Sequence, residues 1–152
     1  MTEDYMPRKK KEVVENKKEV IEISDFFTTS REKEGVWIEP EINGVGLGVE
    51  FKVVGQSSPI FVEAISKYMA AHNKVLEETD IKKAYELETE AQSDRSASIV
   101  VDLRSKPGVK LEDGGEALEY SPDVVRKIMY EITAIRDDVW EKATRSYSFM
   151  KK

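Results

Sequence analysis

The run Asn43-Gly44-Val45-Gly46-Leu47-Gly48-Val49-Glu50-Phe51-Lys52-Val53-Val54-Gly55-Gln56-Ser57-Ser58-Pro59 holds both the clearest strand signal and the point where the chain changes period. Asn43-Gly44 is the strongest two-residue turn signal in the sequence, because both residues tolerate the positive φ that a type I′ hairpin turn requires. After it Val45, Leu47, Val49, Phe51 and Val53 alternate with Gly46, Gly48, Glu50, Lys52 and Val54. Period two over nine residues predicts one strand with one buried face. Gly46 and Gly48 imitate a phosphate loop in composition only. They alternate within a strand instead of opening a helix, so a bulge or a close backbone approach explains them better.

Upstream, Val36-Trp37-Ile38, closed by Glu39-Pro40, supplies the other strand of a hairpin, and Val20-Ile21-Glu22-Ile23 is a candidate third strand. Residues 1–20 read as a charged, flexible tail, since such a segment buries too little apolar surface to offset its ordering entropy. The tetrad Arg8-Lys9-Lys10-Lys11 could touch nucleic acid, but the first 22 residues hold six basic and six acidic groups. Any attraction to phosphate is therefore short-ranged and salt-sensitive, and nucleic acid is not an expected partner.

Downstream, Ser58-Pro59 is an N-cap followed by proline at the first helical position. Phe61, Ala64, Ile65, Tyr68, Val75 and Leu76 then share a helical face. A second helix is expected from Asp80, with Ile81, Ala84 and Tyr85 inward. Its stretch from Glu86 to Ser98 has few apolar anchors, which predicts fraying or a break. Ala97 to Leu103 fits helix or strand, and Pro107-Gly108 with Asp113-Gly114-Gly115 encloses a loop. Ser121-Pro122-Asp123 repeats the cap-proline arrangement, with an acid placed against the helix dipole. The last helix is expected to run on as one element, with Val125, Ile128, Met129, Ile132, Ile135, Val139, Trp140, Ala143 and Tyr147 in one broad apolar sector. The fold class is therefore α+β: an N-terminal antiparallel hairpin, then three or four helices, within a single domain over residues 21–150.

The 152 residues are 36% charged and 39% hydrophobic, with a net charge of −6. This is the composition of a well-solvated globular chain. The chain has no cysteine, which excludes disulfides, thiolate metal sites and a cysteine nucleophile. No apolar run is long enough for a membrane span, and the N-terminus lacks the apolar core of a secretory signal.

Chemistry-bearing patterns are sparse. His72 is the only histidine, so a histidine pair for zinc is excluded. It stands beside Tyr68 and Leu76, and a half-buried histidine near a helix end is preferred over a general base or pH switch. Glu77, Glu78, Glu86, Glu88 and Glu90 read as solvated polar faces. Asp113 with Glu112 and Glu116 lacks the ligand order of a calcium loop and reads as a solvated turn. No catalytic residue, cofactor or metal is expected. Arg136 interrupts the last apolar sector, either snorkelling past the core edge or facing a partner.

The order Ala97, Val100-Val101-Asp102-Leu103, a glycine loop with Asp113-Gly114, then Leu118 and Tyr120-Ser121-Pro122-Asp123-Val124-Val125-Arg126-Lys127-Ile128-Met129 resembles the C-terminal half of tail assembly chaperones of long-tailed bacteriophages. The ending, with Ile135, Val139, Ala143 and Phe149, is similar too. Trp37, the hairpin reaching Val53-Val54-Gly55-Gln56 and the helix from Ser58 match the N-terminal half of that layout. The resemblance implies a non-enzymatic assembly factor of the host cytoplasm, absent from the finished virion. Such a factor binds the tape-measure protein, keeps it soluble and helps recruit tail-tube protein; self-association is left open. Many relatives are made in two lengths by a programmed frameshift, which Lys151-Lys152 would suit. The alternative is a structural virion component, such as a neck or tail-completion protein. Within the last helix, Ile128, Ile132 and Val139 are expected to hold the fold. Met129, Arg136, Trp140 and Tyr147 are expected to form or border the partner patch.

Overall fold

A computed structural model describes residues 20–112 and 114–151, so the tail reading for residues 1–19 and the role of Asp113 lie outside the described residues. A short helix α1 (Thr29–Glu34) precedes strands β1 (Val36–Ile38), β2 (Glu41–Ile42), β3 (Val45–Gly46) and β4 (Val49–Val53). Helices α2 (Pro59–Glu77) and α3 (Ile81–Ser98) form an antiparallel hairpin that leads into strand β5 (Val100–Ser105). Helices α4 (Pro122–Glu131) and α5 (Thr133–Ala143) and a 3₁₀ turn (Ser146–Phe149) complete the order. The architecture is mixed α+β, as the hydrophobic patterning predicts.

The main sheet is antiparallel in the order β1-β4-β5, while β2 and β3 form a separate small ribbon above it. Asn43 and Gly44 take positive φ values of 54° and 79°, as a type I′ turn demands. The single strand expected over 45–53 is divided at Gly48, which adopts φ 76°. A side chain at Gly46 would stand 2.5 Å from the Glu39 carboxylate, and Gly48 N–H donates to that same carboxylate at 3.2 Å. The two glycines thus serve a close approach and a bend, and the ribbon peels away from the sheet there. In β4 the alternation survives: Val49, Phe51 and Val53 are buried and Glu50 and Lys52 are not.

Val20-Ile21-Glu22-Ile23 is not the third strand. Ile23–Phe26 forms one 3₁₀ turn, and β5 occupies the place beside β4, with Phe51 opposite Leu103 and Val49 opposite Ser105. The stretch from Ala97 that fitted either structure uses both, ending α3 at Ser98 and starting β5 at Val100.

One continuous core joins the inner sheet face (Ile38, Phe51, Val53, Val100, Leu103) to Phe61, Val125, Ile128, Met129, Ile135, Val139 and Phe149. Ser58 Oγ accepts from Ile60 N–H and Ser121 Oγ from Val124 N–H, so both cap-proline signals start helices where expected. The Asp80 cap accepts from the N–H groups of Lys82 and Lys83. Helix α3 does not fray or break. It packs against α2, α4 and α5 through Ala91, Ser93 and Ser96, whose small side chains let the neighbours approach closely. Ile81 and Tyr85, expected inward, and Leu76, expected on one face with Phe61 and Ala64, are instead exposed.

The C-terminal apolar sector is not one helix. It breaks at Ile132, an extended residue at φ −120° and ψ 93° that ends α4 and precedes α5. Two successive β-branched residues, Ile132 and Thr133, lower the helical preference at this point. One carbonyl released by the break, that of Met129, finds a side-chain donor. Arg136 Nη1 donates to the Met129 carbonyl at 3.5 Å, and Ser93 Oγ on α3 lies 3.5 Å from the same oxygen.

Candidate interaction surface

The four residues expected to form a partner patch are dispersed. Met129 is fully enclosed in the core and Arg136 is only 7% exposed. The Arg136 guanidinium also donates to Ser93 Oγ at 3.3 Å, while Ser96 Oγ donates to the Arg136 carbonyl at 3.0 Å. Arg136 neither snorkels nor faces a partner; it fastens the α4–α5 break to α3. Trp140 is half-buried, stacked on Phe61 with ring centroids 5.0 Å apart. Tyr147 alone of the four is exposed, in the 3₁₀ turn after α5. The apolar sector assumed one straight helix, and the break at Ile132 redirects every residue after it. Ile128 and Val139 are buried and Ile132 is packed against the core, in keeping with their expected structural role.

A polar and aromatic network locks α2 to α3. Tyr68 Oη donates to Glu88 Oε2 at 2.6 Å, Gln92 Nε2 donates to the same oxygen at 2.8 Å, and His72 Nδ1 lies 2.8 Å from Glu88 Oε1. Burial alone would raise the Glu88 pKa, but the hydrogen bonds from Tyr68, His72 and Gln92 outweigh it and hold the carboxylate below its usual range. Burial, then the hydrogen bond to Glu88, pushes the Tyr68 phenol upward. The Arg95 guanidinium lies between two rings, 4.3 Å from the Tyr68 centroid and 4.2 Å from the Trp140 centroid. Burial lowers its pKa, yet arginine stays charged, and the ring faces supply an attraction that survives desolvation. A carboxylate committed to three neighbours, with its basicity suppressed, is suited to holding two helices in register.

Glu88 was grouped with the solvated acids in the sequence reading. The signal that marks it is a pair of matching spacings: Tyr68 and His72 are four apart on α2, and Glu88 and Gln92 are four apart on α3. Which faces meet is set by the turn at Glu78–Asp80, which no periodicity specifies.

Among the described residues two apolar surfaces remain uncovered. The first is the segment from Val20 to Phe27, where Val20, Ile21, Ile23, Phe26 and Phe27 are all more than half exposed. Its base is fastened: Arg31 Nη1 donates to the carbonyls of Phe27 and Phe149, and Lys151 N–H donates to the Asp25 carbonyl. The second surface runs along α2, where Val62, Met69 and Leu76 are 60%, 60% and 71% exposed, and continues onto α3 at Ile81 and Tyr85. Scattered apolar residues are ordinary on a protein surface, whereas contiguous ones mark contact sites. Among the described residues no helix is long and apolar enough to cross a membrane. Comparison of the chain with protein-family models, with curated protein sequences and with solved structures finds no match.

Proposed function

We propose that this chain is a tail assembly chaperone of a long-tailed bacteriophage, a non-enzymatic factor that binds the tape-measure protein and promotes tail-tube assembly in the host cytoplasm. The motif order from Ala97 to Phe149 supports the reading, and the observation that carries it is the Val20–Phe27 arm. Five large apolar side chains stand in solvent within eight residues, on a segment whose base is tied to the C-terminal end of the body. Tyr147, also exposed, belongs to the 3₁₀ turn that ends at Phe149, one of the arm's anchor points. An arm of this kind can lie along the apolar stripe of a long helical client and cover it until tail-tube subunits do so.

Co-expression with the tape-measure protein of the same phage tests the reading. The wild-type chain should co-purify with it and keep it soluble, and should be missing from purified particles. The triple variant Ile23→Ser, Phe26→Ser, Phe27→Ser should keep its thermal stability and lose most of that co-purification. Undiminished capture by the triple variant would remove the arm from the argument. Absence of capture by the wild-type chain, with the protein present in particles, would favour a structural virion component instead.

A further inference from the structure

Helix α2 carries two apolar faces, and its own domain uses only one. At 100° per residue, Phe61, Ala64, Tyr68, Ala71 and Val75 form the sector that faces α3 and the core, with Phe61 and Ala64 fully buried. Val62, Ile65, Met69, His72 and Leu76 follow at alternating spacings of three and four and form a second, adjoining stripe. This is the spacing of a helix-pairing seam. Glu63, Lys67 and Lys74 project to the remaining side, where Lys67 and Glu63 pair at 3.2 Å, and Glu77 stands at its edge. The outward sector, which also includes Ser66 and Asn73, therefore contains no acidic or lysine side chain over a helix of 19 residues.

We infer that α2 pairs with α2 of a second copy of this chain, antiparallel across a two-fold axis that passes at Met69. The ends of the stripe are symmetric about that residue: Val62 lies seven positions before it and Leu76 seven after. A two-fold axis there sets Met69 against Met69 of the partner subunit and Val62 against Leu76 of the partner subunit. Ser66 and Asn73 of opposite copies come to the same level, hydroxyl beside amide. Because Glu63, Lys67 and Lys74 lie away from the seam and Glu77 only at its rim, the seam itself brings no like charges together, which an isologous interface otherwise risks. On α3, Tyr85 and Ile81 stand one and two turns before Glu88, on the side of the hairpin where Glu88 meets His72. They extend the surface beside Leu76, and both are more than 70% exposed. A stripe along a helix about 28 Å long, widened by these two side chains, is of the order of the ~800 Å² per partner that a stable dimer buries. The hydrogen bonds of Tyr68, His72 and Gln92 to Glu88 keep the hairpin rigid beneath it. The inference concerns this face alone and does not depend on the chaperone reading, whose client surface is the arm.

The chain has no cysteine, so one introduced thiol reports its own neighbours. In the full chain, Met69→Cys should form a covalent dimer on mild oxidation, as should the double variant Val62→Cys, Leu76→Cys, while Val62→Cys alone should not. Met69→Glu should leave the circular dichroism spectrum unchanged and weaken association at least about 100-fold by sedimentation equilibrium. A wild-type chain that sediments as a monomer at micromolar concentration would overturn the inference. So would an oligomer that Met69→Glu leaves intact, or ready cross-linking of Val62→Cys alone, which would mean a parallel contact.

Discussion

Helices α2 and α3 lie side by side, yet α2 carries Val62, Met69 and Leu76 into solvent while α3 encloses Ser93 and Ser96 completely. The apolar helix is the half-exposed one, and the polar helix is the one covered on several sides. Helix α3 is central because its inner residues are small. Ser93 Oγ donates back to the Thr89 carbonyl at 2.7 Å, so its hydroxyl is satisfied without water. Apolar content on a helix measures how much surface must be covered by something, whereas side-chain size decides how closely another element approaches. On α2 the surplus marks a contact with another molecule.

The largest expected effect tests this contrast directly. Ser96→Leu should cost about 3 kcal/mol or more, because α3 has no room for the added carbons and the bond to the Arg136 carbonyl is lost. Leu76→Ser should change stability by no more than about 0.5 kcal/mol. Both are read from urea midpoints in a Met69→Glu background, so that association does not enter. Equal costs would erase the contrast. Arg136→Ala comes next. It should cost about 2 kcal/mol by leaving the Met129 carbonyl underserved at the helix break. A stable Arg136→Ala variant with weakened client capture would return Arg136 to a partner surface.

Trp37 extends the contrast to the sheet. A fully buried tryptophan would lose about 3–5 kcal/mol on truncation to alanine. Trp37 lies half-buried on the outer sheet face, under the Arg104 guanidinium at 4.0 Å from its ring centroid. Trp37→Ala should therefore lose only about 1–2 kcal/mol in thermal unfolding.

The smallest effect is a pH dependence shared by two carboxylates. Burial pushes the Glu32 pKa up, but hydrogen bonds from Thr28 and Ser57 prevail and lower it, as the donors around Glu88 do there. A carboxylate with a depressed folded-state pKa contributes stability above the ordinary carboxylate pKa, and that contribution is lost as pH falls through the folded value. The chain should lose stability below about pH 4.5, and Glu32→Gln or Glu88→Gln should flatten that acid limb. An acid limb of wild-type steepness in both variants would exclude these two residues as its source.

The turn, the caps and the buried face of β4 were legible because each rests on neighbours in sequence. The type I′ turn needs only Asn43 and Gly44, and a cap needs a hydroxyl beside the first free N–H groups. The alternation from Val49 to Val53 needs only the pleat. The partner patch was not legible, because it projected Met129, Arg136, Trp140 and Tyr147 along a single helix axis. Rotation at Ile132 is invisible to a periodicity count: no proline or glycine marks it, and the serines that fasten Arg136 across it come from α3, some 40 residues earlier.

By itself, then, the sequence determined the mixed α+β class, the caps at Ser58, Asp80 and Ser121 and the buried face of β4. All follow from local backbone chemistry and from the periods of strand and helix. Tertiary structure alone decided that β5 rather than Val20–Ile23 completes the sheet, and that Arg136 serves a carbonyl instead of a partner. It also decided that Glu88 collects Tyr68, His72 and Gln92, and which of the two apolar faces of α2 stays in solvent. Each of these depends on which surfaces meet, and that is set by competition for a limited interior between segments far apart in the chain.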